Sequence, residues 1–527
     1  MRSLLNNRRG VRRLGTMLGA ATLVGAAACM NLDVTNADTP ELEDVFTNGA
    51  NLEQNAGLAF RNFWGVTQGA RTNATYPVVQ LGALAEITTG TATATWEVIQ
   101  EPRVRYNNVN ADQWLARKPW YDLYEVIATE TDALKALDAG VRVGTVSAAA
   151  PNGADTPRAR AFSRFLLGAS QVYLGIMYDK AFVSDESYDP ATYELEFSPY
   201  PEVAKAGIAQ LEKAIADAKA APTNFTLPTE WVNQQSINRD ELVRIMNGYI
   251  LRALVYTART PAERAAVDWN RVLTLTAAPN VITKDFGALA DQTKSGTTSA
   301  WLQYTQLMTD ARIDNNFVGV ADTSNAYQAW LALPFEQKGE IQVRTPDRRI
   351  HGAGGPATAG KYFAQATSQT MSTVRGTSPH SRYRGVRYGT NFYQTGFIPT
   401  MTLVEMDMLR AEALIRLGRP AEAVPLINKT RVAIGELPPV TAAGTGTRPT
   451  CVPRKTNGEC GDLMDAMLYE KRMELHAVEA ILHWADWRAF GKLPKGSLMQ
   501  LPVTGRELQT LGLPVYSFGG DLPGSAP

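Results

Sequence analysis

The chain is poor in the residues that most often hold metals, with three cysteines and four histidines in 527 residues. His351, His380, His476 and His483 make no HExxH and no i, i+4 pair, which excludes the zinc-hydrolase helix and leaves surface or core roles for them. No G-x-S-x-G, Walker loop or dinucleotide fingerprint occurs, so neither a nucleophile elbow nor a nucleotide cradle is encoded. Charge of one sign is also lacking, with 52 Lys+Arg against 52 Asp+Glu. The first 28 residues hold five arginines and no acid, so 47 basic residues face 52 acidic ones in the remainder. That balance argues against a nucleic-acid surface. Beyond residue 28 no uninterrupted apolar run is long enough for a membrane-spanning helix.

What is present begins at the N-terminus. Arg2, Arg8, Arg9, Arg12 and Arg13 precede the apolar run Leu14 to Ala28, the layout of a secretory signal. This run falls short of the roughly 20 residues that span a bilayer. Ala26, Ala27 and Ala28 directly before Cys29 resemble a bacterial lipobox, whose cysteine is acylated and becomes the first residue. The expectation is a signal peptide over 1–28, a lipid on Cys29 and a single domain over 29–527. An ordinary signal-peptidase site, leaving Cys29 an exported thiol, is the alternative. Export permits disulfides, and Cys451 and Cys460 in "CVPRKTNGEC" are expected to pair. Closing so short a loop stabilises by about 2–3 kcal/mol in the chain-entropy model. Neither cysteine has a histidine at zinc-finger spacing, so no metal is expected there.

Periodicity predicts a mainly α fold. In "PRARAFSRFLLGASQVYLGIMYDKAF" the residues Phe162, Phe165, Leu166, Ala169, Val172, Tyr173 and Ile176 recur at steps of three and four, writing one buried helical face. Further helices are expected in "PEVAKAGIAQLEKAIADAKA" and "RDELVRIMNGYILRALVYTA". "MTLVEMDMLRAEALIRLGRPAEAVPLINKTRVAIGELP" reads as a helix pair turned at Gly418, with Pro420 opening the second helix and Pro425 kinking it. Small Ala411, Ala413, Ala421 and Ala423 give this pair a tetratricopeptide-like character. One last long helix is expected from the N-cap Asp462 to about Ala485. Its Glu470, Arg472 and Glu474, with Arg488, are expected to form structural ion pairs. The helical framework thus covers about 40–275 and 400–510. Residues 276–400 form a long loop-rich insertion of irregular chain and short strands, and so long an insertion is more often functional than idle.

Ten tryptophans and nineteen tyrosines offer flat faces for stacking on sugars. The ligand candidates are those outside the predicted helices: Tyr76, Trp96, Trp301, Tyr304 and Tyr327. Trp120, Tyr124, Trp484 and Trp487 lie on predicted helices and belong to the core. Acidic residues are too common for any pair of them to argue for glycoside hydrolysis.

Several segments together resemble one family. They are "CMNLDVTNADTPE", "WYDLYEVIATETDAL", "MLRAEALIRLGRPAEAVPLINKTRVAIGELP" and "LYEKRMELHAVEAILHWADWRAFGKLPKGSLMQLPVTGRELQ", with "TPDRRIH" as a shorter Asp-x-Arg match. All resemble the SusD/RagB family of outer-membrane nutrient-binding lipoproteins. The resemblance implies a lipid-anchored, surface-exposed protein of the cell outer membrane without cofactor or catalysis. It would capture a nutrient, an oligosaccharide or a peptide, and deliver it to a TonB-dependent transporter. A lipid-anchored hydrolase and a helical-repeat interaction scaffold are the alternatives.

Overall fold

A computed structural model describes residues 46, 48–69, 76–89, 98, 102–109, 114–189, 195–291, 298–306, 311–366, 380–388 and 395–527. Cys29 and Trp96 lie outside them, as does the side chain of Tyr76. The fold is mainly α, and Asn48–Pro527 forms one compact unit. The first half is built from α1 (Gly49–Thr67), α2 (Tyr76–Ala83), α3 (Trp114–Asp138), α4 (Thr156–Met177), α5 (Tyr200–Ala220), α6 (Arg239–Tyr256), α7 (Pro261–Ala265) and α8 (Trp269–Leu275). Among the described residues no helix is long and apolar enough to cross a membrane.

The apolar face read on α4 is the centre of this half, with Phe162, Phe165, Leu166, Val172, Tyr173 and Ile176 all buried. α4 packs on both α3 and α5. Its contact with α5 is close because glycines meet. A Cβ on Gly168 would stand 2.9 Å from the Gly207 carbonyl oxygen, and one on Gly207 would stand 2.8 Å from that of Gly168. No side chain fits between the two backbones there.

Two strands delimit the middle of the chain. β4 (Phe286–Leu289) pairs antiparallel with β8 (Phe397–Met401), Ala288 opposite Ile398, so the chain departs and returns at one place. Between them lie α9 (Ala300–Gln306), β5 (Ala311–Ile313), α10 (Asn315–Val318), α11 (Ala326–Leu331), β6 (Phe363–Gln365) and β7 (Tyr383–Gly385). β5 pairs with β1 (Ile87–Thr89), β6 with β7, and β2 (Lys180–Phe182) with β3 (Phe197–Pro199), every pair antiparallel. The short strands match the expectation for this region. The three short helices do not, because 4–7 residues are too few to write a helical period.

The framework resumes with α12 (Leu403–Arg416) and α13 (Pro420–Ala433), which pack on α14 (Leu463–Glu474) around a small core of Met408, Leu414, Ile427 and Met467. Gly418 ends α12 with φ of 74° and Pro420 opens α13. Pro425 is accommodated inside α13, which continues to Ala433. Ala411, Ala413 and Ala423 are buried, whereas Ala421 faces outward.

The expected single helix after Asp462 is in fact two. Asp462 caps α14 in a reciprocal capping box with Asp465, but α14 stops at Glu474 and α15 (Ala480–Ala489) starts anew. Ala477 between them has φ of 62°, a left-handed conformation that a continuous helix forbids. The break brings His476 and His483 onto one buried carboxylate, Glu86. Glu86 Oε1 lies 2.6 Å from His476 Nδ1 and accepts the Ala477 N–H at 3.0 Å, and Oε2 lies 3.3 Å from His483 Nε2. Burial pushes the Glu86 carboxyl up to about 7, against the opposing pull of His483 and Arg387. Burial likewise drives His483 down to about 4 and His476 well below the usual imidazole range. A short helix, α16 (Gly505–Thr510), closes the order.

Two outcomes follow from this packing. Gly207→Val forces a branched side chain into the α4–α5 contact and should lower stability by about 1–3 kcal/mol, read as a reduced midpoint in urea; an unchanged midpoint would contradict the close approach. The Glu86 cluster sets a pH signature. A raised carboxyl contributes stability that is lost as pH climbs from 4.5 towards 7. The depressed histidines contribute stability that is lost as pH falls below 6.5. Glu86→Gln removes the first contribution and deepens the depression of His483, which already sits near 4 and so changes little above about pH 5; the variant-minus-wild-type difference in Tm should therefore become more positive between about pH 5 and about pH 8. A flat or falling difference across that window would contradict the assignment.

Candidate binding cleft

The region around α11 forms a cleft of about 420 Å³ whose lining includes Asn316, Tyr327, Trp330, Lys338, Thr456, Lys492 and Lys495. Five distant stretches of chain meet there. α11 supplies Tyr327 and Trp330, three apart and therefore on one face, with rings stacked at 18° and centroids 6.0 Å apart. Lys338, at the end of the 3₁₀ turn Phe335–Gln337, places Nζ 4.6 Å over the Trp330 ring. The turn after α15 contributes Lys492 and Lys495, and the C-terminal segment contributes Gly520 and Asp521.

Local chemistry fixes each of these. Asp322 accepts hydrogen bonds from the N–H groups of Tyr327 and Arg344, at 3.3 and 2.9 Å, pinning the start of α11. The Tyr327 hydroxyl donates to Asn316 Oδ1 at 3.0 Å, and Trp330 Nε1 donates to the Gly339 carbonyl at 2.7 Å. Beneath them Arg472 of α14 donates to the carbonyls of Asn316 and Phe317, both at 3.1 Å, and lies 4.6 Å over the Trp487 ring. Burial lowers that guanidinium to about 10, still charged at neutral pH.

Cys451 and Cys460 are bonded, with Cα atoms 5.6 Å apart. The loop they close carries Thr456 into the cleft wall. It is tied to α11 by Arg454 Nη1 donating to Asn325 Oδ1 at 2.8 Å and by Gln328 Nε2 donating to the Lys455 carbonyl at 3.2 Å. The disulfide therefore braces one side of the cleft.

The sequence candidates divide. Tyr327 lines the cleft, although only 3% of its surface is exposed. Trp301 does not: it lies on α9, is fully buried, and its ring occupies the space that a side chain at position 82 would take beside Gly82. The sequence around it reads as loop, but the helix turns its indole into the core. Tyr304 is half-buried and packs against the core outside this cleft. Trp120 and Trp484 are buried as expected, and so is Trp487. Of the four residues expected to form structural ion pairs, the two glutamates do so and the two arginines instead serve backbone carbonyls. Glu470 and Glu474 bind Arg349, while Arg488 donates to the carbonyls of Ile176, Tyr256 and Met499. Trp330, Lys338, Thr456, Lys492 and Lys495 were not foreseen. Trp330 alone had a signal, its i+3 spacing from Tyr327; the others meet only through the fold.

Among the described residues no group of histidine, cysteine and acidic side chains is placed to hold a metal ion. No protein-family model and no curated protein matches the chain. Solved structures do. A SusD-like carbohydrate-binding protein from Bacteroides vulgatus superposes with a TM-score of 0.51 at 13% identity, over 84% of this chain and 83% of that one. A SusD superfamily protein from Parabacteroides distasonis gives 0.54 at 12% identity, covering 88% and 96%. A laminarin-binding SusD-like protein gives 0.52 at 13% identity, covering 90% and 100%. The paired helices of the framework, interrupted by the excursion between β4 and β8, give this chain the SusD-like fold.

Proposed function

We propose that this protein is a glycan-capture protein of the cell surface, held to the outer membrane by a lipid on Cys29 and passing its ligand to a TonB-dependent transporter. The observation that carries the glycan reading is the cleft: an aromatic pair at its floor, backbone and side-chain polar groups at its walls, within a fold whose solved examples include proteins described as binding carbohydrate and laminarin. Binding without bond cleavage is the simplest use of such a surface, because aromatic edges and hydroxyls orient a sugar without a positioned acid and base. The signal-like N-terminus and the small residues before Cys29 support the anchor. A single acyl chain holds only marginally, so stable attachment requires the several chains that a lipoprotein cysteine carries.

Isothermal titration with a panel of β-glucan, pectic and algal oligosaccharides should give saturable binding, weakened about tenfold or more by Trp330→Ala. A panel without any binder would contradict glycan capture, and product formation during incubation would favour a hydrolase instead. For the anchor, Cys29→Ser should move the protein from the membrane to the soluble fraction in cells lacking the partner transporter. Retention in the membrane there would contradict lipidation.

A further inference from the structure

The cleft is richer in positive charge than the chain as a whole. The whole chain balances 52 basic against 52 acidic residues, yet among the described residues the cleft lining holds Arg103, Lys338, Lys492 and Lys495 against one carboxylate, Asp521. These cations come from three separate stretches, the segment before α3, the turn after α11 and the turn after α15, so their convergence belongs to the fold and to no run of basic sequence. Arg103 is buried at 7% exposure, and its guanidinium donates to the Val98 carbonyl. Lys492 has an exposed pairing with Asp465 at 3.4 Å, a geometry worth little in water and readily exchanged for a ligand. Lys338 lies over the Trp330 ring, where an arriving anion could draw the ammonium aside and open the ring to a sugar face. A concave wall with excess positive charge concentrates anions and raises their rate of capture.

On the reading of this cleft as the glycan site, we propose that its ligand is an acidic oligosaccharide, one whose rings carry carboxylate or sulfate groups. The lysines meet the anionic substituents, and Trp330, 4% exposed beneath Lys338 and backed by Tyr327, meets a sugar ring once that ammonium swings to the anion. Lysine suits this task because its ammonium is a compact point charge on a flexible stem, able to follow substituents at different ring positions.

The test compares three tetrasaccharides by isothermal titration against the full mature chain: tetragalacturonate for the carboxylate arm, a carrageenan tetrasaccharide for the sulfate arm, and neutral laminaritetraose. The proposal expects at least one acidic ligand to bind about tenfold or more tighter than laminaritetraose. That preference should shrink as salt rises from about 0.05 M to about 0.5 M. In Lys338→Gln/Lys495→Gln the acidic-to-neutral ratio should fall towards one, whereas Lys205→Gln, on α5 and outside the cleft lining, should keep it. Circular dichroism and Tm confirm that the double variant is folded. Equal or tighter binding of laminaritetraose would overturn the acidic preference and leave the cleft a glycan site. Binding of an acidic ligand that survives both high salt and the double variant would overturn the role of the lysines. If none of the three binds, the acidic assignment falls, and Trp330→Ala with the wider panel decides separately whether the cleft binds glycans at all.

Discussion

The structure depends most on a fully buried guanidinium. Arg349 stands in the middle region, in "TPDRRIH", and faces three carboxylates: Asp347 at 2.8 Å, Glu470 at 2.6 Å and Glu474 at 3.0 Å. Arg431 of α13 reaches Glu470, while Tyr469 donates to Asp347 and Tyr362 to Glu474. Burial alone would lower the Arg349 pKa, but Asp347 and Glu470 outweigh it and hold the guanidinium well above its usual range. Such a cluster need not be more stable than apolar packing of the same volume. What it does is admit one register: α14 can dock against the middle region only where each charge meets its partner.

Two more buried arginines repeat the device within the framework. Arg252 of α6 binds Glu405 of α12 and Glu479, the residue before α15, each at 2.7 Å. Arg264 of α7 binds Glu412 of α12 at 2.7 Å and Asp486 of α15 at 3.0 Å, and Lys471 joins Asp486 at 2.8 Å. The first half of the chain is thereby fixed to the last, and the last to the middle. The cleft stands at the end of this sequence of contacts. Its floor hangs on Arg472, one helical residue beyond Lys471, and its side wall is the disulfide loop between α13 and α14.

This arrangement accounts for what could be read from the sequence. Helices with a repeating apolar face were legible, α4 above all, because periodicity is local. So were the turn at Gly418 and the cap at Asp462, since a left-handed glycine and a capping carboxylate act on their own neighbours. The break at Ala477 was not, because no glycine or proline marks it; it is held by Glu86, some 390 positions away. Trp301 was misplaced for a related reason: its helix is too short to show a period, and only the space beside Gly82 reveals the indole as core. The cleft lysines were invisible because nothing in a sequence distinguishes a solvated lysine from one facing a cavity.

The Arg349 cluster holds the middle region, and with it the cleft, against α14. Hydrogen–deuterium exchange of Arg349→Met tests it most directly. The variant leaves Asp347, Glu470 and Glu474 buried without their common partner, a loss of about 3–5 kcal/mol for a broken buried pair. Faster exchange should be concentrated in residues 311–366 and in α14, with α4 and α5 still protected. Exchange unchanged in the middle region, or raised evenly over the whole chain, would contradict it.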